Sequence, residues 1–284
     1  MVNMILTPEN WFLILLGIIW IIGAVLQDFK RREVDNLWNF SLIAIALAYR
    51  ASVSVFNGNY WFMLNGLIGL GIFFIIGNIF YYSRMFAGGD AKLLMALGTI
   101  LPLSYNWIIN FKIFGLFILL FLIFGSFYSL VYAIVLMFVN FKKFTKEFIK
   151  QWKNYKKMFF IVLIFVGVWV VLMIVLDFMS FSLIGLVILL FPVLFVFAKS
   201  IEESCLVKEV NYDKITLGDW LYKPVKIKGR IIKADWEGLS SGELDLIRIN
   251  KKKVWIKYGI PFTPSFLFGL IGLIYLVYRF GRVF

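Results

Sequence analysis

Long apolar runs, one after another, decide what this chain can become. A run of about 18 or more apolar residues reads as a helix through a bilayer. Such runs occupy residues 11–27, 37–55, 60–82, 111–139, 158–176 and 181–198, and shorter ones run over 264–278 and from Asp90 to about residue 102. Hydrophobic residues make up 62% of the 284 positions, against about 45–50% in a soluble domain. The pattern predicts an all-α polytopic membrane protein with about eight transmembrane helices. Thr7-Pro8 reads as the N-cap and first position of the first helix. The preceding residues hold no basic n-region or cleavage site, so that helix is expected to stay in place.

The polar stretches orient the bundle. Lys30, Arg31 and Arg32 follow the first run, and seven lysines lie between residues 142 and 157. Eight crossings would put both of these stretches, with the polar segment 199–257, on the cytoplasmic side, as the positive-inside rule expects. Arg279 and Arg282 fall on the other side. The lysines of 142–157 fit a basic helix lying on an anionic leaflet or a solvated loop that sets topology. Within the polar segment, residues 225–232 alternate like a short strand. Ser240-Ser241-Gly242-Glu243 fits a capping box before a helix over 243–250. By composition the chain divides into a membrane domain over 1–200, a small cytoplasmic α+β segment over 201–258, and a last transmembrane helix within 259–284. The net charge of +13 follows the apolar runs rather than lying among stacking aromatics, which argues for a lipid surface and against nucleic acid.

The chain has no histidine and one cysteine, Cys205. This excludes an internal disulfide, a zinc finger, a Cys-x-x-Cys pair and any Ser-His-Asp or Cys-His site. Carboxylates remain. Asp28 ends the first helix, and Asp90 opens the fourth after Gly88-Gly89; both fall at the cytoplasmic side. Two aspartates in contact cannot both ionise, so one can act as acid while the other, as base, activates a water. The other reading makes them interfacial acids that cap helices and pair with Arg31, Arg32 or Lys92. Asp35 is a rival for Asp28. Asp177 reads as an outer interfacial residue, with Ser180 in the same turn. Lys92, one turn into the fourth helix, could tune Asp90 or simply reach the interface.

Ala87-Gly88-Gly89-Asp90-Ala91-Lys92 resembles the GxGD segment of membrane aspartic peptidases. Residues 28–36, an aspartate followed by basic residues and then Asn36, resemble the corresponding loop of the type IV leader (prepilin and preflagellin) peptidase family. Gly218-Asp219, Gly238-Leu239-Ser240 and Gly259-Ile260-Pro261-Phe262-Thr263-Pro264 look like the C-terminal region of archaeal members. The match touches residues 28–100 and about 208–270. The resemblance implies a membrane aspartic endopeptidase of the cell membrane, with its active site facing the cytoplasm. Its partners would be pilin-like or archaellin precursors with a short basic leader and an apolar helix. Asp28 and Asp90 would be the catalytic pair, and Gly88 and Gly89 would shape the turn that presents Asp90. No cofactor, metal or methyltransferase activity is expected. Ala87 stands where the family has the first glycine. The alternative is a transporter or channel using Asp28 and Asp90 as a proton or cation relay, which predicts acids near mid-membrane and polar broken helices. The sequence leaves the oligomeric state open.

Overall fold

The computed structural model describes residues 5–178 and 181–280; residues 1–4, Ser180 and Arg282 lie outside the described residues. The chain forms two compact units, Met1–Leu130 with Ile260–Phe284, and Val131–Gly259.

The first unit holds α1 (Pro8–Arg31), α2 (Asn36–Asn57), α3 (Trp61–Tyr82), α4 (Gly88–Leu97), the first part of α5 (Trp107–Val139) and the last helix, whose range is Pro264–Phe280. Local chemistry sets the ends. Thr7 accepts a hydrogen bond from Asn10 N–H at 3.3 Å, with Pro8 at the first helical position, as the sequence predicts. Gly58 closes α2 in the left-handed conformation at φ 63°, where glycine carries no Cβ penalty. Leucine, isoleucine and phenylalanine from all these helices form one buried core.

The fourth crossing is discontinuous. Ten residues of α-helix rise about 15 Å, half of the hydrocarbon thickness. After α4 the backbone turns at 98–100 and continues without regular structure through 101–104. Pro102 has no N–H and disfavours helix at the residue before it, which explains why the helix is not resumed. Side chains nonetheless tie the segment to both ends of the unit. Asn39, in the first turn of α2, donates to Gly89 C=O at 3.1 Å. Asn10, at the start of α1, donates to Leu103 C=O at 2.7 Å, and Asn65, near the start of α3, donates to Ser104 C=O at 3.1 Å. Residues 88–104 therefore run the length of the unit, first as helix and then as irregular chain.

Breaking a helix inside an apolar bundle frees carbonyls that must be paired. Arg50, fully buried on α2, pairs them. Its Nε donates to Thr99 C=O at 2.7 Å, and its terminal nitrogens donate to Ile100, Pro102 and Phe62 C=O at 3.2, 2.8 and 2.9 Å. The guanidinium also stands over the Phe62 ring, 4.6 Å from its centroid. α3 and α4 meet through glycines: a Cβ on Gly69 would stand 2.3 Å from Gly98 O, so only small residues allow this approach.

The second unit holds the end of α5, then α6 (Phe141–Val175) and α7 (Ser182–Ile201). A π-helical turn, Glu202–Leu206, leads into β1 (Val207–Val210). Next come β2 (Trp220–Leu221), β3 (Val225–Ile227), β4 (Arg230–Ile232), α8 (Ser241–Ile249) and β5 (Val254–Lys257). The last helix, Pro264–Phe280, is then α9. β5 lies between β1 and β2, antiparallel to both, and β3 pairs with β4. Ten buried residues, Ile215, Ile247 and Ile256 among them, form a small core of their own. The capping box at Ser240 and Glu243 is present.

Two expectations need correction here. The lysine-rich stretch is a helix rather than a loop, but it is not a separate one. It is the first half of α6, a continuous helix of 35 residues that spans about 52 Å and so outreaches a hydrocarbon core of about 30 Å. No glycine or proline lies between Phe141 and Val166, so nothing stops the helix where the composition changes. The single strand expected over 225–232 is a hairpin, because Lys228 (φ 45°) and Gly229 (φ 84°) supply the two left-handed positions of a tight turn.

Among the described residues, six helices are long and apolar enough to cross a membrane, with Pro264–Phe280 a shorter apolar seventh. The protein is a polytopic, mainly α-helical membrane protein with a small sheet-bearing segment before its last helix.

Candidate active site

Asp28 lies in the last full turn of α1 and is 7% exposed. Its Oδ2 accepts two hydrogen bonds from one residue, Thr263: the backbone N–H at 3.2 Å and the hydroxyl at 2.9 Å. Thr263 immediately precedes α9, where unpaired N–H groups carry partial positive charge that suits a carboxylate. The partners are 235 residues apart in the chain.

Asp90 is the third residue of α4, the only acid in its first turn, a position the helix dipole favours. It is half-buried. Among the described residues no hydrogen bond reaches its carboxylate, and Asp28 is the charged group that acts on it. Asp28 ends α1 and Asp90 opens α4, near enough for the charge of one to act on the other.

The glycines before Asp90 have a different reason from a left-handed turn. Gly88 and Gly89 are the first two residues of α4, and Ala87 is its N-cap at φ −68° and ψ 159°, extended backbone open to alanine. The left-handed residue of the connection is Arg84, at φ 61°. Gly89 is needed for close approach: a Cβ there would stand 3.2 Å from Val34 N and 3.3 Å from Val34 O. At Gly88 the nearest atom would be a Tyr81 ring carbon at 3.8 Å, an ordinary contact.

The loop between α1 and α2 locks the two motifs together. Lys92 Nζ donates to Asn36 Oδ1 at 2.6 Å, so Lys92 meets the asparagine of the first motif rather than Asp90. Asn39 is fully buried; its amide N–H binds Gly89 C=O and its Oδ1 has no donor among the described residues. Asp35 pairs with Arg31 at 3.2 Å, both exposed, while its N–H donates to Gln27 Oε1 at 2.9 Å. The rival of Asp28 is therefore a surface ion pair. Phe86, four residues before Asp90, packs among Phe80, Phe121, Phe262 and Phe266 with ring centroids 4.7 to 6.2 Å away. The segment Phe262-Thr263 thus touches the surroundings of both aspartates, one side chain each.

In the second unit Glu202, Glu203 and Asp219 are each engaged. Glu202 pairs with Lys199 and Lys257, and Glu203 with Lys199 and the Tyr222 hydroxyl. Asp219 accepts from Thr216 N–H at 2.8 Å, and burial pushes its carboxyl up from the usual range. Asp177 is exposed and left-handed at φ 60°.

Sequence reasoning did not single out Arg50, Thr263, Asn39 or Phe86. Thr263-Pro264 repeats the Thr7-Pro8 signature and could have been read the same way, as the start of a helix. Arg50 is the one charge inside its apolar run, a signal that asks for buried partners.

The first unit is a helical membrane bundle in which Asp28 ends one helix and Asp90 opens another. Residues 15–138 match the model of the type IV leader peptidase family. It is 28% identical over 135 residues to a preflagellin peptidase of Methanococcus maripaludis, a match covering 44% of this chain and 57% of that protein. A preflagellin peptidase of Methanocaldococcus jannaschii is 25% identical over 134 residues, covering 44% and 56%. One from Methanococcus voltae is 30% identical over 87 residues, covering 31% and 37%. The matched part therefore spans little more than half of these relatives at most. No solved structure matches the chain.

Proposed function

We propose that this protein is a membrane aspartic endopeptidase that removes a short basic leader from pilin-like or archaellin precursors at the cytoplasmic face. Asp28 and Asp90 form the catalytic pair. The observation that carries the reading is that Asp28, on the end of α1, lies near enough to Asp90, on the start of α4, for its charge to act on that carboxyl. The family match over residues 15–138 supports it.

The chemistry needs one proton shared between two carboxylates. The ionised carboxylate takes a proton from a water, whose oxygen adds to the scissile carbonyl. The protonated carboxyl gives its proton to the carbonyl oxygen, forming a tetrahedral diol. Collapse of the diol breaks the C–N bond. The proton taken from water passes to the leaving amine, one diol hydroxyl returns its proton to the other carboxylate as the new carboxyl forms, and the pair again holds one shared proton. The side chains this requires are carboxylates alone, consistent with a chain that has no histidine.

The relay reading draws on the discontinuous fourth crossing. That break is occupied by Arg50, which takes the carbonyls of Thr99, Ile100 and Pro102. Those carbonyls are the groups a cation path would need, and the two aspartates lie at helix ends. Both facts favour the peptidase.

The test is cleavage of a leader-bearing pilin- or archaellin-like precursor by membranes holding the full chain. Asp28→Asn and Asp90→Asn should each lower kcat by at least about 10²- to 10⁴-fold, the range expected when a positioned acid or base is removed. Normal cutting by either variant refutes the pair.

A further inference from the structure

We propose that Thr263 is a positioning residue of the active site, one that fixes the Asp28 carboxylate in the orientation from which it acts. The inference rests on the peptidase reading above, and goes beyond it by giving a role to a residue outside both aspartate motifs.

Three observations carry it. The first is the geometry: two donors of one residue converge on a single oxygen, Asp28 Oδ2, at 3.2 and 2.9 Å. A carboxylate at the end of a helix is otherwise free to turn about its terminal torsion. Engaging one oxygen twice stops that rotation and leaves Oδ1 as the open acceptor. Among the described residues, Oδ1 has no donor.

The second is a diverted cap. A threonine just before a helix ordinarily turns its hydroxyl oxygen towards an N–H of the first turn. Here the hydroxyl instead donates to Asp28, and Thr263 supplies its own helix only through the backbone, its C=O accepting from Phe266 N–H at 3.0 Å. Capping alone does not account for this orientation.

The third is rigidity. Thr263 is fully buried, Pro264 follows it with a fixed φ, and Phe262 packs against Phe86 and Phe121 with centroids 5.8 and 5.5 Å away. Phe86 lies on the connection that leads into α4 and Asp90. One short segment therefore grips Asp28 by hydrogen bonds and the approach to Asp90 by ring packing. A positioning residue has to be held in this way to pass its own order to the group it orients.

The experiment compares wild type, Thr263→Val and Thr263→Ser as full chains in lipid, with a leader-bearing archaellin-like precursor as substrate. Valine keeps the branched shape and the backbone N–H but removes the hydroxyl; serine keeps the hydroxyl and loses a methyl. Thr263→Val is expected to lower kcat by about 10- to 100-fold, the loss of one hydrogen bond to a charged group. Its KM should stay within about threefold, the signature of a group that serves the reaction rather than uniform binding. Serine should recover most of the rate. A second readout does not depend on activity: the infrared carboxylate band that vanishes in Asp28→Asn should move in Thr263→Val and hold its place in Thr263→Ser. An unmoved band in Thr263→Val overturns the proposal. So does equal loss of kcat in both variants, which would assign the effect to packing. If wild type cuts no precursor, the peptidase reading fails, and the infrared band still decides the role of Thr263.

Discussion

The discontinuous fourth crossing carries charge at both of its ends, and the two ends treat it in opposite ways. Beyond the end of α4, the Arg50 guanidinium is fully buried and makes four hydrogen bonds to Thr99, Ile100, Pro102 and Phe62 carbonyls. At the other end, Asp90 is half-buried and takes no hydrogen bond among the described residues, while Asp28 is held through one oxygen by Thr263. A charge in apolar surroundings is costly in either place. Where its hydrogen-bonding capacity is used up, the charge serves the backbone and has little left for chemistry. Where capacity is left over, stability is given up and the group stays able to bind a water, a proton or a substrate carbonyl. Sites of function are commonly such places.

Replacing the charge at each end makes the sharpest test of this contrast. Arg50→Leu strands several buried carbonyls, and each unpaired buried group costs about 1–3 kcal/mol. The variant should lose at least about 3 kcal/mol of stability, read as a lowered unfolding midpoint in detergent and reduced yield in the membrane. Arg50→Lys should recover only part of this, because an ammonium cannot reproduce the planar fork. Asp90→Asn should leave the midpoint unchanged or raise it while abolishing cleavage. The contrast collapses if Arg50→Leu unfolds at the wild-type midpoint, or if Asp90→Asn is the less stable of the two.

A second test separates the neighbouring glycines at the carboxylate end. Both begin α4, yet only Gly89 faces the backbone of Val34, at 3.2 Å from a built Cβ, against 3.8 Å to the nearest atom at Gly88. Gly89→Val must push the α1–α2 loop away or tilt the start of α4. Overpacking of this kind costs about 1–3 kcal/mol, and a misplacement of about 1 Å near reacting groups can cost about 10²-fold in rate. Gly88→Ala adds a methyl in free space at a helical residue, where alanine is favoured over glycine by about 0.5–1 kcal/mol. It should match or exceed wild-type stability and keep most of the activity. Equal damage from both substitutions would mean that the turn, rather than the approach to Val34, sets the requirement.

The helical architecture is legible in the sequence because it rests on apolar runs, and these carry their own length. The lysine-rich half of α6 was harder to read. Composition changes near Met158, yet a helix stops only where the backbone is interrupted, and no glycine or proline interrupts it there. Asp28 and Asp90 could be picked out from their motifs, but the sequence does not say what holds them. The Thr263 hydroxyl reaches Asp28 across 235 residues. Arg50 is matched to carbonyls, which every residue has and which leave no trace in a sequence. Ala87 shows the converse. It departs from the motif on paper and is unremarkable in space, since an N-cap at φ −68° asks for no glycine.

The smallest expected effect concerns Lys92, which sits two residues beyond Asp90 and yet turns to Asn36, 2.6 Å away. This bond ties the loop of the first motif to the helix of the second at an exposed place, where one hydrogen bond contributes about 0.5–1.5 kcal/mol. Lys92→Met should therefore lower the unfolding midpoint slightly, slow cleavage by less than about tenfold, and leave the pH optimum of kcat where it is in wild type. Asn36→Ala should reproduce the same small loss, and the double variant should be little worse than either single one, because both remove one interaction. A lysine that tuned Asp90 directly would behave otherwise. Its removal would shift the pH optimum, Asn36→Ala would not mimic it, and the two losses would add. The carboxylate end would then be charge-compensated like the arginine end, and the difference between them would be one of degree.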